Sequence, residues 1–122
     1  MASAFALVEI DEVKQVRDGE NVFTAGEEAY ARAKRDPERR LAARLAAKRA
    51  AQRLLGGNVG LGEIEVARGR YGPPLLRLSG VAKERMAALG ASTALVSLTH
   101  ERRHAAAAVV LLPTEPAGGG EA

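Results

Sequence analysis

Cysteine is absent from the chain, so no disulfide, thiolate zinc site or cysteine nucleophile can form. Any metal would have to be held by oxygen ligands or by His100 and His104. Aromatic residues are scarce: two Phe and two Tyr in 122 residues. The core must therefore be packed from Leu, Val and Ala, and there is no aromatic platform on which nucleic-acid bases could stack. No run of about 18 apolar residues occurs, and the N-terminus has no basic segment followed by an apolar stretch. These absences predict neither a membrane span nor a signal peptide, and a cytoplasmic location. The length fits one domain, and 47% hydrophobic residues are enough for one core.

Positive charge, in contrast, is locally abundant. Between Arg32 and Arg53 stand nine basic residues against two acidic ones, although the whole chain is only +3. Most of them fall on the segment 40–55, which reads as a helix. Asp36 can cap its first turn, Pro37 suits the first helical position, and Gly56-Gly57 supply a left-handed stop. At about 100° per residue Leu41, Leu45 and Leu55 share a side with the stem of Gln52, while the alanines let another backbone approach closely. Arg49 and Arg53, four apart, share a face beside Lys48 and Gln52, a grouping of donors suited to phosphate. Read from charge alone, the run is a solvated helix face.

Around this helix, residues 5–10 read as a buried strand, and Thr24 with Glu27 forms a capping box that opens a helix to about residue 35. Residues 56–62 are a glycine-rich connector; they follow a helix and lack the lysine of a phosphate-cradling loop. Residues 63–68 and 75–78 form a hairpin with one wet face, 80–90 a helix ending on Gly90, and 94–99 with 105–112 a second hairpin. Hairpin-connected strands with helices grouped to one side predict an α+β fold: an antiparallel sheet with a long helix packed on it. A single domain over 1–112 and a flexible tail over 113–122 are expected.

The pattern Leu41-Ala-Ala-Arg44-Leu-Ala-Ala-Lys48-Arg49-Ala-x-x-Arg53-Leu-Leu-Gly56 resembles the signature helix of the holo-acyl-carrier-protein synthase family, the small 4′-phosphopantetheinyl transferases. Val96-Ser97-Leu98-Thr99-His100 is similar to that family's Val-Ser-Ile-Ser/Thr-His motif, and Thr24 with Glu27 to its Phe-Thr-x-x-Glu motif. The resemblance covers about residues 5–112. It implies the family's fold, usually a trimer with sites between subunits. It also implies the family's reaction, in which the 4′-phosphopantetheine of coenzyme A moves to a serine of an acyl carrier protein.

By the same resemblance Lys48 lies at the catalytic site, and Arg44, Arg49, Arg53, Thr99 and His100 are the coenzyme A-binding candidates. Magnesium in the family is held by a strand aspartate and a helix glutamate, because a hard divalent ion requires oxygen ligands. Those positions are Ala6 and Arg49 here, so no metal is expected. Glu9 should face away from position 6, since strand side chains alternate. His104, in a charged turn and matching no motif, has a surface role. Three readings follow: a non-catalytic or impaired relative that keeps coenzyme A or carrier-protein binding, a divergent transferase using Arg49 in place of the metal, and a nucleic-acid binder. The lack of an aromatic platform disfavours the last.

Overall fold

Along one face of a five-stranded antiparallel sheet lies the longest helix of the molecule, and every other element is arranged around that contact. The computed structural model describes residues 1–17, 21–68 and 72–114. In chain order the elements are β1 (Ala2–Glu9), α1 (Glu12–Arg17), α2 (Ala25–Arg32), α3 (Pro37–Leu55), a short 3-10 turn (Leu61–Glu63), β2 (Ile64–Arg68), β3 (Pro74–Leu78), α4 (Gly80–Ala88), β4 (Ala91–His100) and β5 (His104–Pro113). The strands lie in the order β1-β5-β4-β3-β2. The chain is thus an α+β protein, as its pattern of hairpins and helices predicts.

Residues 41–48 of α3 are all buried, with Ala50, Ala51 and Leu55. Six of these side chains are alanines, which lets the helix axis sit close to β1, β5 and β4. The strands answer with small residues of their own: Ala6 and Val8 of β1 and Ala105, Ala107, Val109 and Leu111 of β5 point at the helix. Leu41 and Leu45 are completely enclosed, each contributing about 1.5–3 kcal/mol of apolar burial. Alternation sends Phe5 and Leu7 to the opposite face of the sheet, where they stay exposed together with Leu75 and Leu95. Glu9 is exposed while Ala6 is buried, as the alternation predicts.

Several boundaries differ from those read in the sequence. Asp36 precedes α3, but its side chain makes no cap bond; its Oδ1 accepts from Arg40 Nε at 3.1 Å instead. Gly56 ends the helix at φ 117°, ψ 142°, so its φ is positive but its ψ is extended, outside the compact left-handed region. The helix opened by Thr24 stops at Arg32 rather than 35, and α1 had no sequence signal strong enough to find it. Pro113 closes β5 at its pairing with Ala91 and so belongs to the sheet rather than to a tail; the rest of the expected tail, from residue 115, lies outside the described residues.

Candidate functional site

At 3.6 residues per turn, Arg44 and Arg49 are five residues and therefore about 140° apart around α3. The basic residues of the helix consequently serve three separate places.

Toward the N-terminal end of α3, Arg40, Ala43 and Arg44 form one wall of a cleft of about 260 Å³. Arg68, the last residue of β2, and Leu98, Thr99 and His100 at the end of β4 complete it. Arg44, Thr99 and His100, three of the sequence candidates, are thus brought together, with Arg40 and Arg68 added. Arg44 is 2% exposed. Its guanidinium lies over the Tyr30 ring at 4.1 Å, and its Nε is buried without a hydrogen-bond partner among the described residues. Burial lowers its proton affinity, opposed by Tyr30 and Glu27, while the like charge of Arg68 lowers it further. Burial opposes ionisation of the Tyr30 hydroxyl and raises its pKa, but Arg68 and the charges of Arg44 and Lys34 together hold it below the usual phenol value. Arg40 is held by Asp36 in an ion pair of 3.1 Å.

One turn further along, Lys48 is completely enclosed. Its ammonium donates to the carbonyl oxygen of Val22 at 2.5 Å and pairs with the equally enclosed Glu27. Glu27 is satisfied on both oxygens: Oε1 also accepts from Thr24 N at 2.9 Å, and Oε2 from Val66 N at 2.7 Å. Desolvation lowers the Lys48 pKa, with Glu27 acting in the opposite sense. The capping box is therefore more than a helix start: its glutamate joins α2, α3 and β2. Lys48 and Arg44 are not part of a solvated face, because α3 is covered where they project.

Arg49 and Arg53 lie on the far side, toward β1 and α1. Arg49 Nη2 pairs with Glu12 Oε2 at 2.7 Å, and Arg53 Nη1 donates to the carbonyl oxygen of Phe5 at 2.6 Å. The residues at the two family metal positions do not fit a magnesium ion. Ala6 offers a methyl group, Arg49 a cation, and the neighbouring carboxylate, Glu12, is held by that cation. Among the described residues no three His, Asp or Glu side chains group closely enough to share a metal ion. His104, read in the sequence as part of the charged turn, is the first residue of β5, its Nδ1 3.3 Å from Glu101 Oε1.

Sequence reasoning did not single out Tyr30, Arg68 or Glu12. Arg68 and Tyr30 meet Arg44 only through the tertiary packing of β2 and α2 on α3, and no local pattern signals that. Glu27 was visible, but only as half of a capping box.

An antiparallel five-stranded sheet covered by one long helix, with an arginine-walled cleft where α3, β2 and β4 meet, defines an α+β protein equipped for anionic ligands. No family model matches the chain. It is 36% identical over 107 residues to the holo-[acyl-carrier-protein] synthase of Shewanella woodyi, covering 84% of this chain and 81% of that protein. Among solved structures, the acyl carrier protein synthase of Mycobacterium tuberculosis superposes with a TM-score of 0.72 at 33% identity, covering 92% of this chain and 96% of that one. The coenzyme A complex of the Chronobacterium ammoniagenes synthase superposes with a TM-score of 0.76 at 25% identity, covering 93% and 98%. The chain belongs to the holo-[acyl-carrier-protein] synthase family.

Proposed function

We propose that this chain binds coenzyme A and an acyl carrier protein, as a trimer in the cytoplasm, and that its transfer of 4′-phosphopantetheine to the carrier serine is impaired. The observation that carries the reading is the division of the site. The cleft keeps Arg44, Thr99 and His100 together, whereas the metal positions hold Ala6 and an Arg49 already paired with Glu12. Guanidinium and imidazole donors suit phosphate oxygens, and Arg44, fixed against Tyr30, is oriented before a ligand arrives. Lys48 acts here through Glu27 and Val22, holding α2 against α3 beneath the cleft. In the family the metal neutralises charge on the pyrophosphate as it is cleaved; no group of this chain at those positions replaces that with oxygen-bound cation chemistry. Exposed Phe5, Leu7, Leu75 and Leu95 on the uncovered face of the sheet support association between copies.

A second reading, transfer assisted by Arg49 itself, is favoured by the partial exposure of that guanidinium, whose remaining donors are free to meet a phosphate. Calorimetry with coenzyme A, with and without magnesium, combined with mass spectrometry of an acyl carrier protein incubated with both, separates the two. Binding that needs no magnesium, with an unmodified carrier, is the expected result. Heat that appears only with magnesium contradicts the proposal, and prompt carrier modification establishes the Arg49 alternative.

A further inference from the structure

The sheet has two edge strands, β1 and β2, and each is met by one charged side chain. At β2 the N–H of Val66 donates to Glu27 Oε2 at 2.7 Å, and Glu27 is enclosed under α2. At β1 the arrangement is open: the carbonyl oxygen of Phe5 accepts from Arg53 Nη1 at 2.6 Å, at the surface.

The register fixes which groups of β1 look outward. Ile10 N donates to Arg103 O at 2.8 Å, one step beyond the pair of Glu9 with His104, so the even-numbered residues exchange bonds with β5. The odd-numbered residues, Ser3, Phe5, Leu7 and Glu9, turn their N–H and C=O groups away from it, which is why the Phe5 oxygen can reach Arg53. All four are exposed, and among the described residues no further strand lies beside them. An exposed strand edge that is also apolar, as Phe5 and Leu7 make it, is a template for pairing with another chain.

We propose that the free edge of β1 is a docking surface for β1 of a second copy, and that Arg53 is the residue that keeps it closed. The occupant follows from the strand's own sequence. In an antiparallel pair with Phe5 opposite Phe5, Ser3 meets Leu7 and outward groups meet outward groups. Glu9, the one charged residue among positions 1–9, then falls opposite Met1, whereas an in-register parallel pair would set Glu9 against Glu9. Arg53 competes directly with this pairing, because the oxygen it holds is the one that the Phe5 N–H of the second copy would need. The inference goes beyond the coenzyme A reading and does not depend on it. It also differs from association through the apolar sheet face, which would cover side chains and leave the outward N–H groups of β1 unpaired.

Sedimentation velocity over a range of concentrations, with hydrogen exchange of the β1 amides, tests it. In the unaltered chain Ser3, Phe5, Leu7 and Glu9 should exchange fast while Ala4, Ala6 and Val8 are protected. In Arg53→Ala the assembly should reach at least twice the mass of the unaltered protein, and the four odd-numbered amides should slow about tenfold or more. Arg53→Lys, which keeps a charge at the edge, should associate less than Arg53→Ala. Adding Leu7→Pro to Arg53→Ala should restore the mass of the unaltered protein, since the ring removes an N–H that bonds nothing within the sheet but that a second strand would need. Circular dichroism verifies that each variant folds, and Arg53→Met, which keeps the stem and the helix propensity, takes the place of Arg53→Ala should that variant unfold. Slow exchange of the odd-numbered amides in the unaltered chain, an unchanged mass on removal of the guanidinium, or association that survives Leu7→Pro or leaves those amides unprotected overturns the proposal.

Discussion

Glu12 at the start of α1 and Arg49 in the middle of α3 are joined by an ion pair of 2.7 Å. Both side chains are about a third exposed, so the pair itself is worth under about 1 kcal/mol. Its chemical effect is larger than its energy, because it neutralises a carboxylate that could otherwise approach a cation at that place.

The double change Ala6→Asp with Arg49→Glu restores two oxygen ligands there and leaves Glu12 without its cation. Added magnesium should then raise the melting temperature of the double variant, by the equivalent of about 2.7 kcal/mol when magnesium is a hundred times its dissociation constant. Neither the unaltered chain nor Arg49→Glu alone should respond. Magnesium-dependent modification of an acyl carrier protein should appear in the double variant only, and an equal thermal response in the unaltered chain would refute this.

Lys48→Met tests the buried pair. Removing the ammonium leaves Glu27 enclosed with only its two backbone donors, at a cost of about 3–5 kcal/mol. In the double variant Lys48→Met with Glu27→Gln the uncompensated charge is gone, and much of that loss should return. Urea unfolding of the four proteins measures the coupling; additive effects would mean that the two residues act independently.

At Gly26 two effects compete. A Cβ there would stand 2.8 Å from Glu65 Oε2, against a helix-propensity gain of about 1 kcal/mol for alanine over glycine. The carboxylate must give way and lose its Thr24 bond, so Gly26→Ala should be destabilising in the unaltered chain. In a Glu65→Ala background the same substitution should stabilise by about 0.5–1 kcal/mol. Thermal melts that show the same sign in both backgrounds would contradict the contact.

Two carboxylates make the fold sensitive to acid. Arg40 holds the Asp36 carboxyl below its usual pKa, and the backbone N–H groups of Arg103 and His104 do the same for Glu101. With the folded-state values depressed, this stabilisation is complete above the ordinary carboxylate range and is lost as pH falls through the lowered values. Melting temperature should therefore decline between about pH 5 and 2, and less steeply in Glu101→Gln. An unchanged slope in that variant would show that the turn does not contribute.

The uncovered sheet face gives a test of assembly. Phe5 and Leu7 are 59% exposed and Leu95 is 50% exposed, a cost that association removes. Light scattering should report a trimer for the unaltered chain and a smaller species for Phe5→Lys or Leu95→Lys. A folded monomer at all concentrations of the unaltered chain would defeat the assembly proposal.

What the sequence made legible was local. Alternation placed Ala6 and Glu9 on opposite faces of β1, the Leu and Ala spacing made α3 the core helix, and Thr24 with Glu27 marked the start of α2. The fate of the charges was not legible. Lys48 and Arg44 look like surface residues in a basic run, and only the arrival of β2 and α2 over that side of α3 turns them into enclosed groups with a carboxylate and a ring as partners. Lys48 projects away from the side that carries Arg49 and Arg53, since adjacent helical residues diverge by about 100°. Arg68 could not be anticipated as a neighbour of Arg44, because 23 intervening positions carry no signal of how the hairpin returns.

β1 has a single partner in the sheet, β5, and the two are paired residue for residue from Ala2 with Leu111 to Glu9 with His104. During synthesis the first strand to emerge must therefore wait about a hundred residues for the one that satisfies its backbone, a delay of roughly 5 to 20 s at ordinary elongation rates. Through that interval Phe5-Ala-Leu-Val is an unprotected apolar edge on the nascent chain. The sheet closes only once β5 has been made, so the backbone groups of β1 stay without their partner until nearly all of the other elements exist.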